Sequence, residues 1–206
     1  VSELEAGYNM KKKLICVIVL IIFAAITVEA EESSKNCYPI TADDLTRKDA
    51  PRFDQHPSKA EQIRHPAKVN LKSSAMARKY RTMLRRGVAK GPNFAGHYAV
   101  VGWGCGTSCV QFAVVDLKSG EVVFPDDFTV ISGAHLYADE FEKDSGGGQF
   151  WGLRYKVNSK LLIAIGTLDE DEEREGAFYY LLQKGKLKKI FSVNVQKINC
   201  DHRFQD

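Results

Sequence analysis

Residues 93–116 constrain the fold of this chain more than any other stretch. Two apolar runs, residues 96–103 and 109–117, flank the turn Gly104-Cys-Gly-Thr-Ser-Cys109. A connection this short predicts an antiparallel hairpin, because a parallel crossover needs a dozen or more residues. With Cys105 facing Cys109, period two sets the register. Trp103 falls opposite Gln111, Val101 opposite Ala113, Ala99 opposite Val115 and His97 opposite Leu117. The other face pairs Gly102 with Phe112, Val100 with Val114 and Tyr98 with Asp116. Gly102 leaves room for Phe112, and the Tyr98 hydroxyl is within reach of the Asp116 carboxylate. Both faces are largely apolar, so the hairpin is expected in the interior of its sheet. His97, Trp103, Gln111 and the cysteine pair would share one face.

Whether the cysteines close depends on the compartment, and the first thirty residues bear on that. Met10 is followed by three lysines, then an apolar run over 14–27, then Val28-Glu29-Ala30 with small residues at the two positions a signal peptidase reads. This is the pattern of a secretory signal peptide over residues 1–30. Its apolar run of about fourteen residues is too short to span a bilayer. Residues 1–9 precede a natural start at Met10 and read as a misassigned start. The expected location is exported, periplasmic or secreted. The mature chain is then not an integral membrane protein, and nucleic acid is not an expected partner. Cleavage leaves Cys37, Cys105, Cys109 and Cys200 in an oxidising environment. Cys105–Cys109 is the natural local pair, leaving Cys37–Cys200 to tie the chain ends together. In the chain-entropy description these closures contribute roughly 2 and roughly 5 kcal/mol.

The chain has 206 residues, 44% apolar and 27% charged. That suffices for one domain with its own core. Residues 31–72, broken by Pro39, Pro51, Pro57 and Pro66, read as an extended arm packed at points such as Tyr38, Ile40, Phe53 and Ile63. Residues 73–206 read as a single α+β domain, mainly β. It begins with an amphipathic helix capped by Ser73 or Ser74, with Met76, Tyr80, Met83 and Leu84 as its apolar stripe. Strands are expected over 96–103, 109–117, 121–124, 126–131, 149–157, 160–167, 177–183 and 187–195, with 134–148 mostly loop. The expected architecture is one twisted antiparallel sheet, a meander of hairpins, with the helix on part of one face. The strand–Asp-x-x-x-Gly–strand rhythm is also that of a propeller blade, but the chain has room for only two such units.

The runs Asn93-Phe-Ala-Gly-His-Tyr98 and Trp103-Gly-Cys-Gly-Thr-Ser-Cys109, with Asp116 and the glycine turn after it, resemble the signature of a family of small exported bacterial proteins of unknown function. A Tyr-x-x-x-Ser-x-Leu-Leu pattern from Tyr155 extends the resemblance more loosely over 155–187. The resemblance implies export and a Cys105–Cys109 disulfide, and no catalytic residue. The cysteine-closed loop between two strands is also similar to that of periplasmic inhibitors of vertebrate lysozyme. Here that loop holds only Gly106, Thr107 and Ser108, so the histidine and aspartate those inhibitors carry are missing.

The residues that read as a candidate binding site are Asn93, His97, Trp103 and Gln111. Each also has a structural reading, as a turn former, a strand-start hydrogen bonder or a core residue. A Cys105 or Cys109 nucleophile with His97 as base would need a free thiolate, and in the register above His97 lies roughly 13 Å along the ladder. No histidine pair has metal-ligand spacing, and neither metal nor cofactor is expected. The acidic run over 169–175 reads as a solvated loop tip. The face carrying Arg78, Arg81, Arg85 and Arg86 reads as solvated, with an anionic envelope polymer or that acidic loop as alternatives. The expected function is a non-enzymatic exported binding or inhibitor-like module whose partner is a protein or envelope polymer. The alternatives are a Cys/His envelope hydrolase and a structural envelope component.

Overall fold

The computed structural model describes residues 45, 47–133, 149–150 and 152–194, all within the unit Ile40–Val195. The expected signal peptide, the Cys37–Cys200 pairing, the 134–148 loop, and Tyr38 and Ile40 of the arm lie outside the described residues. What is described is mainly β. Val, Ile, Phe and Tyr recur from Tyr98 onward and build one antiparallel sheet. Its strands are β1 (Tyr98–Gly106), β2 (Cys109–Asp116), β3 (Val122–Val123), β4 (Ile131–Ser132), β5 (Gln149–Phe150), β6 (Leu153–Tyr155), β7 (Leu161–Leu168), β8 (Glu175–Gln183) and β9 (Lys186–Asn194). Two short helices precede them, α1 (Ala75–Lys79) and α2 (Arg81–Val88).

The β1–β2 register matches the period-two expectation from Tyr98↔Asp116 to Trp103↔Gln111. It slips only at the tip, where Gly106 rather than Cys105 pairs with Cys109 and Cys105 becomes the extra residue of a bulge. β5 to β9 form the meander, each strand pairing with the next. The two-residue β4 joins the halves of the sheet, pairing with Cys109 and Val110 of β2 and with Thr167 and Leu168 of β7. The sheet doubles back at this seam. Val100, Val110, Phe112 and Val114 from the first half share one buried cluster with Leu162, Ala164, Phe178 and Tyr180 from the second. The outer face of the hairpin, Ala99, Val101, Trp103, Ala113 and Val115, is covered by Ala77, Leu84 and Val88 of the helices. The outer face of β7–β9 is covered from the arm by Leu45, Ala50 and Phe53.

Several expectations are corrected. The hairpin is not interior: β1 ends the strand order, and only β2 pairs with it among the described residues. Its faces are apolar because a helix layer covers one and the doubled-back sheet the other. Residues 149–157 are not one strand. They form the β5–β6 hairpin, whose turn includes Gly152 at φ +73, a conformation that favours glycine. Only Ile131 of the 126–131 segment enters a strand. The helix is broken at Tyr80 (φ −99, ψ 21), and Ser74 caps its first half by accepting from Ala77 N at 3.0 Å. Of the expected stripe, Leu84 is buried and Met83 is exposed, because the break turns the second segment so that Val88 faces inward instead.

Candidate functional site

At the tip of the hairpin Cys105 and Cys109 are joined in a disulfide with a Cα separation of 5.1 Å. Closing so short a loop needs left-handed backbone, which Gly106 (φ 150) and Ser108 (φ 55) provide. Gly133 N donates to Ser108 O at 3.0 Å and ties the loop to the residue after β4. With both sulfurs bonded to each other, neither is a thiolate.

Two residues inward, Trp103 and Gln111 face each other. Trp103 Nε1–H donates to Gln111 Oε1 at 3.1 Å, and each residue is more than nine-tenths buried. The Tyr80 ring lies on Trp103 with centroids 4.5 Å apart. Both side chains border a cavity of about 110 Å³ lined also by Met76, Phe112, Phe124 and Phe128. The cavity exists because β3 and β4 cover only the two ends of the free edge of β2, at Val114–Val115 and Cys109–Val110. Between them the chain bows out over residues 124–130. Gln111 spends its oxygen on Trp103, and its Nε2 has no hydrogen-bond partner among the described residues. The result is an apolar recess with one amide donor at its wall.

The other two candidate residues are placed elsewhere. The Asn93 carboxamide lies along the outer edge of β1: its Nδ2 donates to Val100 O at 3.0 Å and its Oδ1 accepts from Val100 N at 2.7 Å. A side chain thus satisfies backbone groups that a neighbouring strand would otherwise pair. His97 lies between two carboxylates, Nδ1 3.1 Å from Glu61 Oε1 and Nε2 3.5 Å from Asp116 Oδ1. Lys118 Nζ holds the other Glu61 oxygen at 2.6 Å, and this cation, with His97 adding a smaller effect, lowers the Glu61 carboxyl below its usual range. The Asp116 carboxylate accepts from Lys118 N and Ser119 N instead of the Tyr98 hydroxyl, because it shapes the turn that follows β2. Its charge and, more strongly, burial raise the Tyr98 phenol.

The 93–97 turn and the stretch from Tyr155 to Ser159 meet in space. The Phe94 ring is edge-on to Tyr155 at 6.3 Å, Ala95 N donates to Ser159 O at 3.1 Å, and Gly96 N donates to Val157 O at 2.6 Å. Gly96 has φ +86, and a side chain there would run into Lys59 O of the arm. Ser159 is buried; its hydroxyl is within 3.0 Å of Phe53 O and His56 O and accepts from Leu161 N. These residues lock the arm, the 93–97 turn and the start of β7 together.

Sequence reasoning missed one network. Asp127 Oδ2 accepts from the Tyr180 hydroxyl at 3.0 Å and from Lys189 Nζ at 2.9 Å, while Arg174 Nη2 donates to Asp127 O at 2.7 Å. Asp169 Oδ1 accepts from Thr129 N and Val130 N. Asp169 and Arg174 of the acidic loop are therefore anchors that hold the bowed 127–130 segment over the cavity. Burial, then the charge of Asp127, pushes the Tyr180 phenol far up, so it is a proton donor at any physiological pH. The only sequence sign was a tyrosine and a lysine at alternating positions of facing strands.

No protein family, curated protein or solved structure matches this chain. Among the described residues no three of His, Cys, Asp and Glu are grouped as metal ligands, and no helix is long and apolar enough to cross a membrane. A wider, open groove of about 640 Å³ lies between Gln55–Pro57 and Leu181–Lys184, with His56, Lys160 and Lys184 among its lining residues.

Proposed function

We propose that this chain is an exported, non-enzymatic binding module, with the Trp103–Gln111 recess and the disulfide-closed loop beside it as its contact surface. The observation that carries this reading is the Gln111 carboxamide at the wall of an apolar cavity, its oxygen held by Trp103 and its Nε2 without a partner among the described residues. An amide N–H at an apolar wall gives an occupant's oxygen a directional partner, as the few polar groups of small-molecule sites do. The volume suits a small ring, a short acyl group or one side chain of a partner; a 150 Å³ apolar cavity accommodates benzene. Export is supported by the resemblance to small exported bacterial proteins and by the disulfide, which is consistent with an oxidising compartment. The cysteine-hydrolase reading has against it that both sulfurs are spent and that both His97 nitrogens face carboxylates.

Nuclear magnetic resonance of the isotope-labelled protein tests the recess with paired probes. Acetophenone, a ring with an acceptor oxygen, is expected to shift the Trp103 indole N–H and the Gln111 amide more strongly than toluene at equal concentration. Met76→Trp, which fills the recess, abolishes both responses. Equal shifts for the two probes, or shifts that persist in Met76→Trp, would sink the reading.

A further inference from the structure

We propose that the exposed face formed by α1, α2 and the adjoining arm is a docking surface for a linear anionic polysaccharide. Between Glu61 and Asp116 the chain contains no acidic residue, yet it carries five arginines and four lysines. That window stands at +9 against +3 for the whole chain, so the rest of the molecule stands at −6. All nine cations are exposed, and none forms an ion pair among the described residues. Elsewhere in the described surface some cations are paired: Arg47, Arg52, Lys118, Arg174 and Lys189 each hold a carboxylate.

A surface retained only for solubility intersperses both signs, because like charges held together repel. Here Arg81 and Arg85 are four apart on α2, which makes them neighbours on its surface, and across the break Arg81 Nη1 reaches back to Arg78 O at 3.5 Å, so Arg78 adjoins them. Arg64, Lys68 and Lys72 are exposed on the part of the arm whose Ile63 and Val69 pack against the cluster that holds Ala77, Leu84 and Val88 of the helices. An extended row of guanidinium forks suits repeated carboxylate or sulfate groups, which it can grip two oxygens at a time.

Other polyanions fit less well. A membrane surface would take an apolar stripe, but α2 spends Leu84 and Val88 on the hairpin, leaving Met83 as its exposed large apolar side chain. Single-stranded nucleic acid would stack on an open ring. Tyr80, the aromatic residue between the two helices, lies against Trp103 on one side and has Lys79 Nζ 5.1 Å from its centroid. The acidic loop of a second copy, with Glu170, Asp171, Glu172 and Glu173 exposed, has the right charge, and binding through it would appear as salt-sensitive self-association.

Titration of the full chain with heparin and with polygalacturonate tests the proposal, alongside a DNA oligonucleotide and phosphatidylglycerol vesicles. Both polysaccharides are expected to bind at low salt and to weaken steadily as salt rises. The Arg78→Gln/Arg81→Gln/Arg85→Gln variant should bind about tenfold more weakly or worse, consistent with loss of three charge contacts. A control, Lys184→Gln/Lys186→Gln on the β8–β9 turn, should stay within about twofold, since its charges lie off the face. If circular dichroism shows the arginine variant misfolded, Lys72→Gln/Lys79→Gln/Lys90→Gln takes its place with the same expectation. The proposal is overturned by absence of binding at low salt or by unchanged binding in the substituted face. It is equally overturned by tighter binding to vesicles or DNA, or by salt-sensitive self-association in sedimentation.

Discussion

At Gly87, within α2, alanine would ordinarily stabilise a helix by about 1 kcal/mol over glycine. The packing reverses that sign. A Cβ at Gly87 would land on the Val101 side chain of β1, and because Val101 Cβ itself is 2.9 Å away, changing its rotamer gives no relief. Gly87→Ala is therefore expected to lower stability by about 1–3 kcal/mol in urea denaturation. An increase would mean that α2 can lift off the hairpin. The same dependence on packing governs what can be read residue by residue. Trp103 opposite Gln111 was legible because period two and the cysteine pair set the register. The cap at Ser74 was legible because capping involves residues three apart. His97 facing Glu61 was not, since 36 residues separate them and no local pattern links the two.

At the scale of elements, the arm is held to the hairpin by contacts in series. Glu61 N donates to Gly96 O, Ala67 N to Leu117 O and Asn70 N to Gly120 O, with the Glu61–His97–Lys118 cluster beside them. Glu61 is lowered in the folded protein from an ordinary value of 4.5. A depressed carboxyl contributes stability above its unfolded pKa and loses it as pH falls through the folded one. The stability difference between the wild type and Glu61→Gln should then be full near neutrality and shrink as pH drops below 4.5. Urea midpoints across that range measure it, and a pH-independent difference would remove Glu61 from the contact.

For the whole molecule, the sheet doubled at β4 buries one shared cluster between its halves and two more under the helices and the arm. The disulfide closes a loop of only four residues' separation, at the periphery of these clusters. Reduction is expected to lower stability by roughly 2 kcal/mol while the protein stays folded, seen as a smaller urea midpoint with unchanged slope. Collapse of the near-ultraviolet circular dichroism on reduction would mean that the clasp, not the apolar clusters, holds the fold. Sequence by itself determined the mainly antiparallel β class, the hairpin register, the local cysteine pair and most strand positions, because side-chain period and turn chemistry act over a few residues. Tertiary structure alone decided that β1 lies at an edge capped by Asn93, that 149–157 splits into a hairpin, and that Asp127, Arg174 and Tyr180 hold a segment over the recess. These depend on where a two-residue seam lets the sheet turn back, and the apolar patterns on either side of that seam do not encode its position. The tip of the hairpin belongs to both levels: its closure was legible in Cys105 and Cys109, and the recess behind it was formed by residues far along the chain.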